Sequence, residues 1–336
     1  MSKRDNLAWQ ALRDAALVDG DAPPASSETP WYLQVLLGVS AWIAALCLFG
    51  FLAALFSNLF SNKPTMVFLG LVTCIGAIAL LRSVEGDFFR QIAVPASLVG
   101  QALVGIALFD DSQTIRGWLG VVILAGAMYA AGPSRLHRFL CGAAAVVGVC
   151  GMFGERHFED IFIAMPLLAW GAVLLWVNDD DERLTPLAWA VGIGALVVAG
   201  FVDKATWQIA HDPTVMRPLA SVAATALLPV VALRLASVAG ALATRTVQLL
   251  VAGALVFAAL WLQAPGFAIG IAFALVGFST DRIAVVALGL AGAVAHLADY
   301  YFQLDVTLLA KSGLLVLGGV LVLGLRYAAL ALEKRA

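Results

Sequence analysis

From Leu33 onward the chain alternates long apolar runs with short polar clusters that recur roughly every 15–25 residues. The runs fall at 33–56, 65–82, 92–109, 117–132, 139–153, 161–177, 187–202, 217–236, 246–262, 267–279, 283–299 and 307–331. Runs of this length and uniformity read as membrane-spanning helices, because in hydrocarbon the backbone must satisfy its own hydrogen bonds. The pattern predicts an all-α polytopic transmembrane helix bundle of about twelve helices. Several runs fall short of the ~20 residues that a perpendicular crossing needs, so they either extend into neighbouring polar residues or cross only half the bilayer. The pair at 246–262 and 267–279, joined by Gln263, Ala264, Pro265 and Gly266, reads as two full spans or as a re-entrant hairpin.

The polar clusters carry a charge pattern. With twelve spans and the N-terminus inside, Lys63, Arg116, Arg156, Lys204, Arg217 and Lys311 fall outside, and the other 14 of the 20 Lys and Arg residues fall inside. Positive residues near span ends are retained in the cytoplasm, so this bias places both termini there. Aromatic residues follow the same alternation: Trp31, Trp176, Trp189 and Tyr327 sit at inner ends, while Trp118, Trp207, Trp261, Tyr300 and Tyr301 sit at outer ends.

Composition adds the class. Of 336 residues 62% are apolar and 12% charged, mean hydropathy is +0.94 and the formal net charge is −2. Soluble domains carry roughly 25% charged residues, so this is the composition of an integral membrane protein whose surroundings are membrane lipid. The absence of a basic bias argues against nucleic acid as a partner. Residues 1–30 read as a cytoplasmic helix, "NLAWQALRDAALV", followed by the linker "DGDAPPASSETP"; 31–332 form the transmembrane domain and 333–336 a cytoplasmic tail. The start shows no cleavable signal peptide, so the first span is expected to serve as the insertion signal. Cys47, Cys74, Cys141 and Cys150 lie in apolar runs without metal or redox spacing and read as small core residues.

Candidate chemistry is sparse. Pro95, Pro166 and Pro229 fall within spans, where each frees a backbone carbonyl and bends the helix, a device transporters use to build sites from broken helices. Gln101 is the most central uncharged polar side chain and calls for an interhelical hydrogen bond. Gly126 with Ala130, Gly266 with Gly270, and Gly289 with Ala293 place small residues one turn apart, as close helix packing requires. Two polar clusters, Glu155, His157, Glu159 and Asp160, and Asp203, His211 and Asp212, hold groups that ligate divalent cations, although solvated loops commonly have this chemistry. Motifs for serine, zinc, phosphate and aspartyl chemistry are missing, which ranks an enzyme last and calls for no cofactor.

The stretch "HLADYYFQLDVTLLAKSG" sets His296, Asp299, Asp305 and Lys311 inside the longest apolar tract. His296 lies about 20 Å along its helix at 1.5 Å per residue, with Asp299 one turn further on the same face. This outer polar cluster reads as a Lys311 pair with Asp299 or Asp305 that locks the final hairpin, or as an outer vestibule; a midplane ion path would need its carboxylates deeper.

The segments "PWYLQVLLGVSAWIAALCLFGF" (30–51) and "YYFQLDVTLLAKSGLLVLGGVLVLGLR" (300–326), with the lead-in "ALRDAALVDGDAPP", resemble the opening, closing and N-terminal signatures of the bacterial inner-membrane family of domain of unknown function 4401. The resemblance runs over nearly the whole chain and is strongest at its ends. It implies a multi-pass protein of the inner membrane, encoded beside a second polytopic membrane protein and a protein named for a GDYXXLXY motif. It carries no activity and no functional residues. The expectation is therefore a membrane-embedded subunit of an envelope complex, with a small-molecule or lipid-related transporter as the alternative.

Overall fold

The computed structural model describes residues 62–83, 87–109, 114–154, 158–178, 182–208, 216–238, 245–262 and 264–303, with scattered helical positions within 36–50 and 309–327. Among these, every regular element is helical. In chain order they are α1 (Lys63–Ser83), α2 (Asp87–Leu108), α3 (Thr114–Ala131), α4 (Arg135–Phe153), a 3₁₀ helix (Phe158–Ile163), α5 (Ala164–Val177), α6 (Thr185–Gln208), α7 (Met216–Thr225), α8 (Leu227–Val238), α9 (Arg245–Leu260), α10 (Pro265–Ser279) and α11 (Ile283–Gln303). Each apolar run from 65–82 to 283–299 coincides with helix, whereas the first and last runs and both termini lie mostly outside the described residues.

The helices overrun the apolar runs. α2 starts five residues before its run and α6 ends six after its own. Hydropathy marks where hydrocarbon ends, but an i to i−4 ladder continues through polar residues into the interface. By length and composition five segments can cross a membrane: Lys63–Ser83, Arg135–Phe153, Asp160–Val177, Pro218–Ser237 and Ile283–Phe302. Five shorter apolar helices lie among them.

Chain neighbours pair: α1 with α2, α3 with α4, α5 with α6, α8 with α9, and α10 with α11. Helix α6 ties the pairs together, packing on α4, α5, α10 and α11. Helix α9 packs on α8, and meets α10 at a corner where Trp261 stacks on Phe257 and Phe267. The turn between α10 and α11 is short because Asp281 takes a left-handed φ of 53°. There the Arg282 N–H bonds the Gly277 carbonyl at 2.8 Å and the Asp281 N–H bonds that of Phe278 at 3.4 Å, closing the end of α10.

Burial by size is the reverse of a soluble protein. Large apolar side chains such as Phe68, Ile75, Ile123, Phe278 and Ile283 face outward, while the buried residues are rich in Ala, Gly and Cys. Helices in lipid gain little from hiding apolar side chains from one another, so small residues that permit close approach carry the contacts. Gly266, Gly270 and Gly289 lie in the α10–α11 seam, as two of the small-residue pairs predict. Gly126 and Ala130 do not fit the prediction: both are exposed, and a Cβ on Gly126 would meet nothing within 4 Å.

The ends of the bundle sort the charges. Arg82 bonds the Ala131 carbonyl and Arg138 the Gly132 carbonyl, both at 2.8 Å, which closes the C-terminus of α3. Tyr129 bonds the carbonyl of Arg183, and Arg135 pairs with Glu182 at 2.7 Å at the same end. Lys63 bonds the Phe109 carbonyl at 3.0 Å, where Phe109 meets Trp118 edge-on. Arg82, Arg135, Arg138 and Arg183 thus share one end, and Lys63 with Trp118 the other, as the alternation along the sequence requires.

Trp176, in the last turn of α5, turns its ring into the protein. It is 1% exposed and sits between Trp189 and Phe273 in the core formed by α5, α6, α7, α8 and α10. Gly192 of α6 leaves the space that the indole fills.

Candidate functional site

Among the described residues Thr225 is buried and bonds the carbonyls of its own helix, and the other buried polar side chains form two sites. In the first, α2 presents Ser97 and Gln101 one turn apart, and α4 presents His137 and Cys141 at the same spacing. Ser97 Oγ lies 2.8 Å from His137 Nε2, and Gln101 Nε2 donates to Ser97 Oγ at 3.2 Å and toward Cys141 Sγ at 3.5 Å. Cys74 of α1 directs its thiol at the Ser97 carbonyl, 3.7 Å away. Gly132 roofs the group, since a Cβ there would collide with the His137 ring.

The sequence singles out Gln101 but misses Ser97 and His137. His137 sits in "GPSRLHR", which hydropathy reads as a loop, yet α4 begins at Arg135 and carries the imidazole into the bundle. Two polar pairs at one-turn spacing were the available signal.

Pro95 is buried one half-turn before Ser97 and leaves the carbonyl of residue 91 without its helical donor. Pro166 and Pro229 lie at junctions within the longer apolar segments Asp160–Val177 and Pro218–Ser237. Each is the third residue of a helix, Pro166 where the 3₁₀ helix gives way to α5 and Pro229 just after the break at Ala226 between α7 and α8.

Removing the hydroxyl tests the network. Ser97→Ala deprives both His137 Nε2 and Gln101 Nε2 of their shared partner, and is expected to cost about 1–3 kcal/mol in thermal unfolding. Combined with Gln101→Leu the two losses should be non-additive, because both remove the same bond.

The second site centres on His296 of α11, which is buried and donates from Nε2 to the Leu196 carbonyl of α6 at 3.1 Å. Its ring occupies the space above Gly266 of α10, and Gly200 of α6 lies alongside. Asp299 is half-buried one turn on, whereas Asp305 and Lys311 lie outside the described residues, as does any pairing between them. His296→Leu is expected to lower stability by about 1–2 kcal/mol, while His296→Gln, which keeps a donor, should retain most of it in the same melting assay.

Two cavities adjoin these elements. One of about 550 Å³ lies at the arginine end between α4 and α6, lined by Arg135, Glu182, Thr185, Pro186 and Trp189 among others. The Arg135–Glu182 pair at its rim is exposed on both sides, so it adds little stability. The other, about 280 Å³, lies between α2, α3 and α4 beside Gln101. The acidic and histidine-bearing segments at 155–157 and 209–212 lie outside the described residues.

No curated protein and no solved structure matches the chain. A family model does match, over residues 30–332, a span that takes in both buried polar sites and also Trp42, which packs on Leu81, Ala93 and Val94. Over nearly its whole length, therefore, this chain belongs to the family described as domain of unknown function (DUF4401).

Proposed function

We propose that this protein is a multi-pass subunit of the bacterial inner membrane, with both termini in the cytoplasm, that anchors a multi-protein envelope assembly. The observation that carries the reading is the filled centre of the bundle. Trp176, Phe273, Met165 and Ile269 occupy the region between α5, α6 and α10, where a solute path would need space. Apart from Gln101 Oε1, the buried polar groups of the two sites bond to one another and to backbone, which favours a structural part for them. The excess of Lys and Arg in the inner loops supports the orientation. Family resemblance suggests as partners the second polytopic membrane protein and the GDYXXLXY-motif protein. A small-molecule or lipid-related transporter is the second reading, favoured by the broken α7–α8 rod and its buried Pro229.

The test is purification of the tagged full-length protein from its native membrane in mild detergent. A stoichiometric membrane or envelope protein is the expected result. A homogeneous lone protein would overturn the assembly reading and put transport first.

A further inference from the structure

The cavity at the arginine end is graded from charge to aromatic surface. On α4, Arg135 stands at the rim and Phe139 one turn deeper; on α6, Thr185 and Trp189 repeat that order. Both helices run into the bundle from this end, so the aromatic pair lies about 6 Å further in, at 1.5 Å per residue. Leu136 also lines the cavity and is 50% exposed, which carries the apolar wall to the outside of α4.

Glu182 completes the rim, and the backbone beside it is anchored, because the Tyr129 hydroxyl bonds the Arg183 carbonyl. Arg135 Nη2 lies 2.7 Å from Glu182 Oε2, and the two side chains are 76% and 86% exposed. This contact uses one nitrogen of a guanidinium with five N–H donors and one oxygen of a carboxylate. Accessible donors and an accessible acceptor therefore remain at the rim.

The charges narrow the ligand. Arg135 and Glu182 are the charged residues of the lining and sum to zero, so a simple anion meets Glu182 and a simple cation meets Arg135. In the sequence Glu182 closes a run of acidic residues that begins at Asp179, which weighs against an anionic headgroup and in favour of an ammonium. A molecule of both signs suits both partners: a phosphodiester accepts from the guanidinium, and a primary ammonium donates to the carboxylate. Phe139, Trp189 and Leu136 call for an apolar chain behind it, and tryptophan favours the headgroup level where such a molecule lies. At about 30 Å³ per small group the 550 Å³ space takes about eighteen, a headgroup with its glycerol and first methylenes.

We infer that this cavity binds a zwitterionic phospholipid with a primary amine, its phosphate on Arg135 and its ammonium on Glu182. The inference is independent of the assembly role, since a lone protein and a complex subunit would both carry the cavity. It is independent of orientation too, because a symmetric bilayer offers the headgroup on both faces.

The experiment places the full-length protein in nanodiscs containing equal parts of dioleoyl phosphatidylcholine, phosphatidylethanolamine and phosphatidylglycerol, and counts retained lipids by native mass spectrometry. Choline keeps both charges but has no N–H to donate, and glycerol keeps only the phosphate charge. The ethanolamine lipid should be retained about tenfold over either. Glu182→Lys should reverse the order in favour of the glycerol lipid, and Arg135→Gln should lower retention of the ethanolamine lipid about tenfold. Both positions are exposed and their pair adds little stability, so these variants should fold. Equal retention of the three lipids by the wild type, or an order untouched by Glu182→Lys, would overturn the inference. Glycerophosphoethanolamine, the headgroup without chains, should not displace the lipid; displacement would assign the site to a soluble solute. A photo-crosslinker at Leu136 should capture the ethanolamine lipid in native membranes, and capture of a protein in its place would overturn the lipid assignment.

Discussion

Replacing Gly289 with valine will unfold or separate the α10–α11 pair at temperatures that leave the wild type intact. A Cβ on Gly289 would collide with the backbone nitrogen of Ala274. One on Gly270 would lie 2.6 Å from the nitrogen of Ala293 and 2.8 Å from the Gly289 carbonyl, and one on Gly277 would lie 2.5 Å from the nitrogen of Val286. These neighbours are backbone, so no rotamer change relieves the overlap and the helix axes must move apart. Overpacking typically costs about 1–3 kcal/mol, and the upper end is expected where an entire seam has to open. Tryptophan fluorescence on heating in detergent measures it. Gly126→Val, at an exposed position with nothing nearby, is the control and should melt within about 0.5 kcal/mol of wild type. If Gly289→Val matched that control, the close crossing would be wrong.

Trp176→Ala should be the most damaging truncation in the core, at about 3–5 kcal/mol. The indole stacks edge-on against Phe273 at 4.9 Å and Trp189 at 6.1 Å, and Gly192 lies beneath its ring. Dispersion contacts are lost outright when a close-packed ring is deleted, in lipid as in water. Trp176→Phe should be far milder. The indole Nε1 is buried without a hydrogen-bond partner, so removing it offsets part of the lost volume. Equal damage from both substitutions, in the same melting assay, would mean that the N–H is bonded after all.

Helix existence was legible because each apolar run is long and its interruptions are polar; helix ends were not, because hydropathy reports the solvent and not the ladder. His137 shows the consequence, a buried residue inside what looks like a loop. Trp176 shows a second limit. Its place near a helix end was legible, but its burial was not, because that depends on Gly192 of the facing helix. The small-residue pairs divide on the same ground: Gly266 with Gly270 found a partner helix and Gly126 with Ala130 did not, since spacing specifies a flat face but not what meets it. Gln101 was visible as a polar residue in hydrocarbon. Its unbonded oxygen was not, because that depends on Ser97 and Cys141 occupying the amide nitrogen.

The break at Ala226 has a mechanical meaning. Pro229 has no N–H to offer the Thr225 carbonyl, so the ladder is one bond short here, although the Ala226 N–H still bonds the Val222 carbonyl at 2.9 Å and the Val230 N–H bonds the Ala226 carbonyl at 3.3 Å. Bilayers differ in thickness by several ångströms, and a helix of fixed length accommodates the difference by tilting or kinking. The weakened ladder makes the α7–α8 rod one place, with the Pro95 position of α2, where the strain of a thinner or thicker membrane would be taken up.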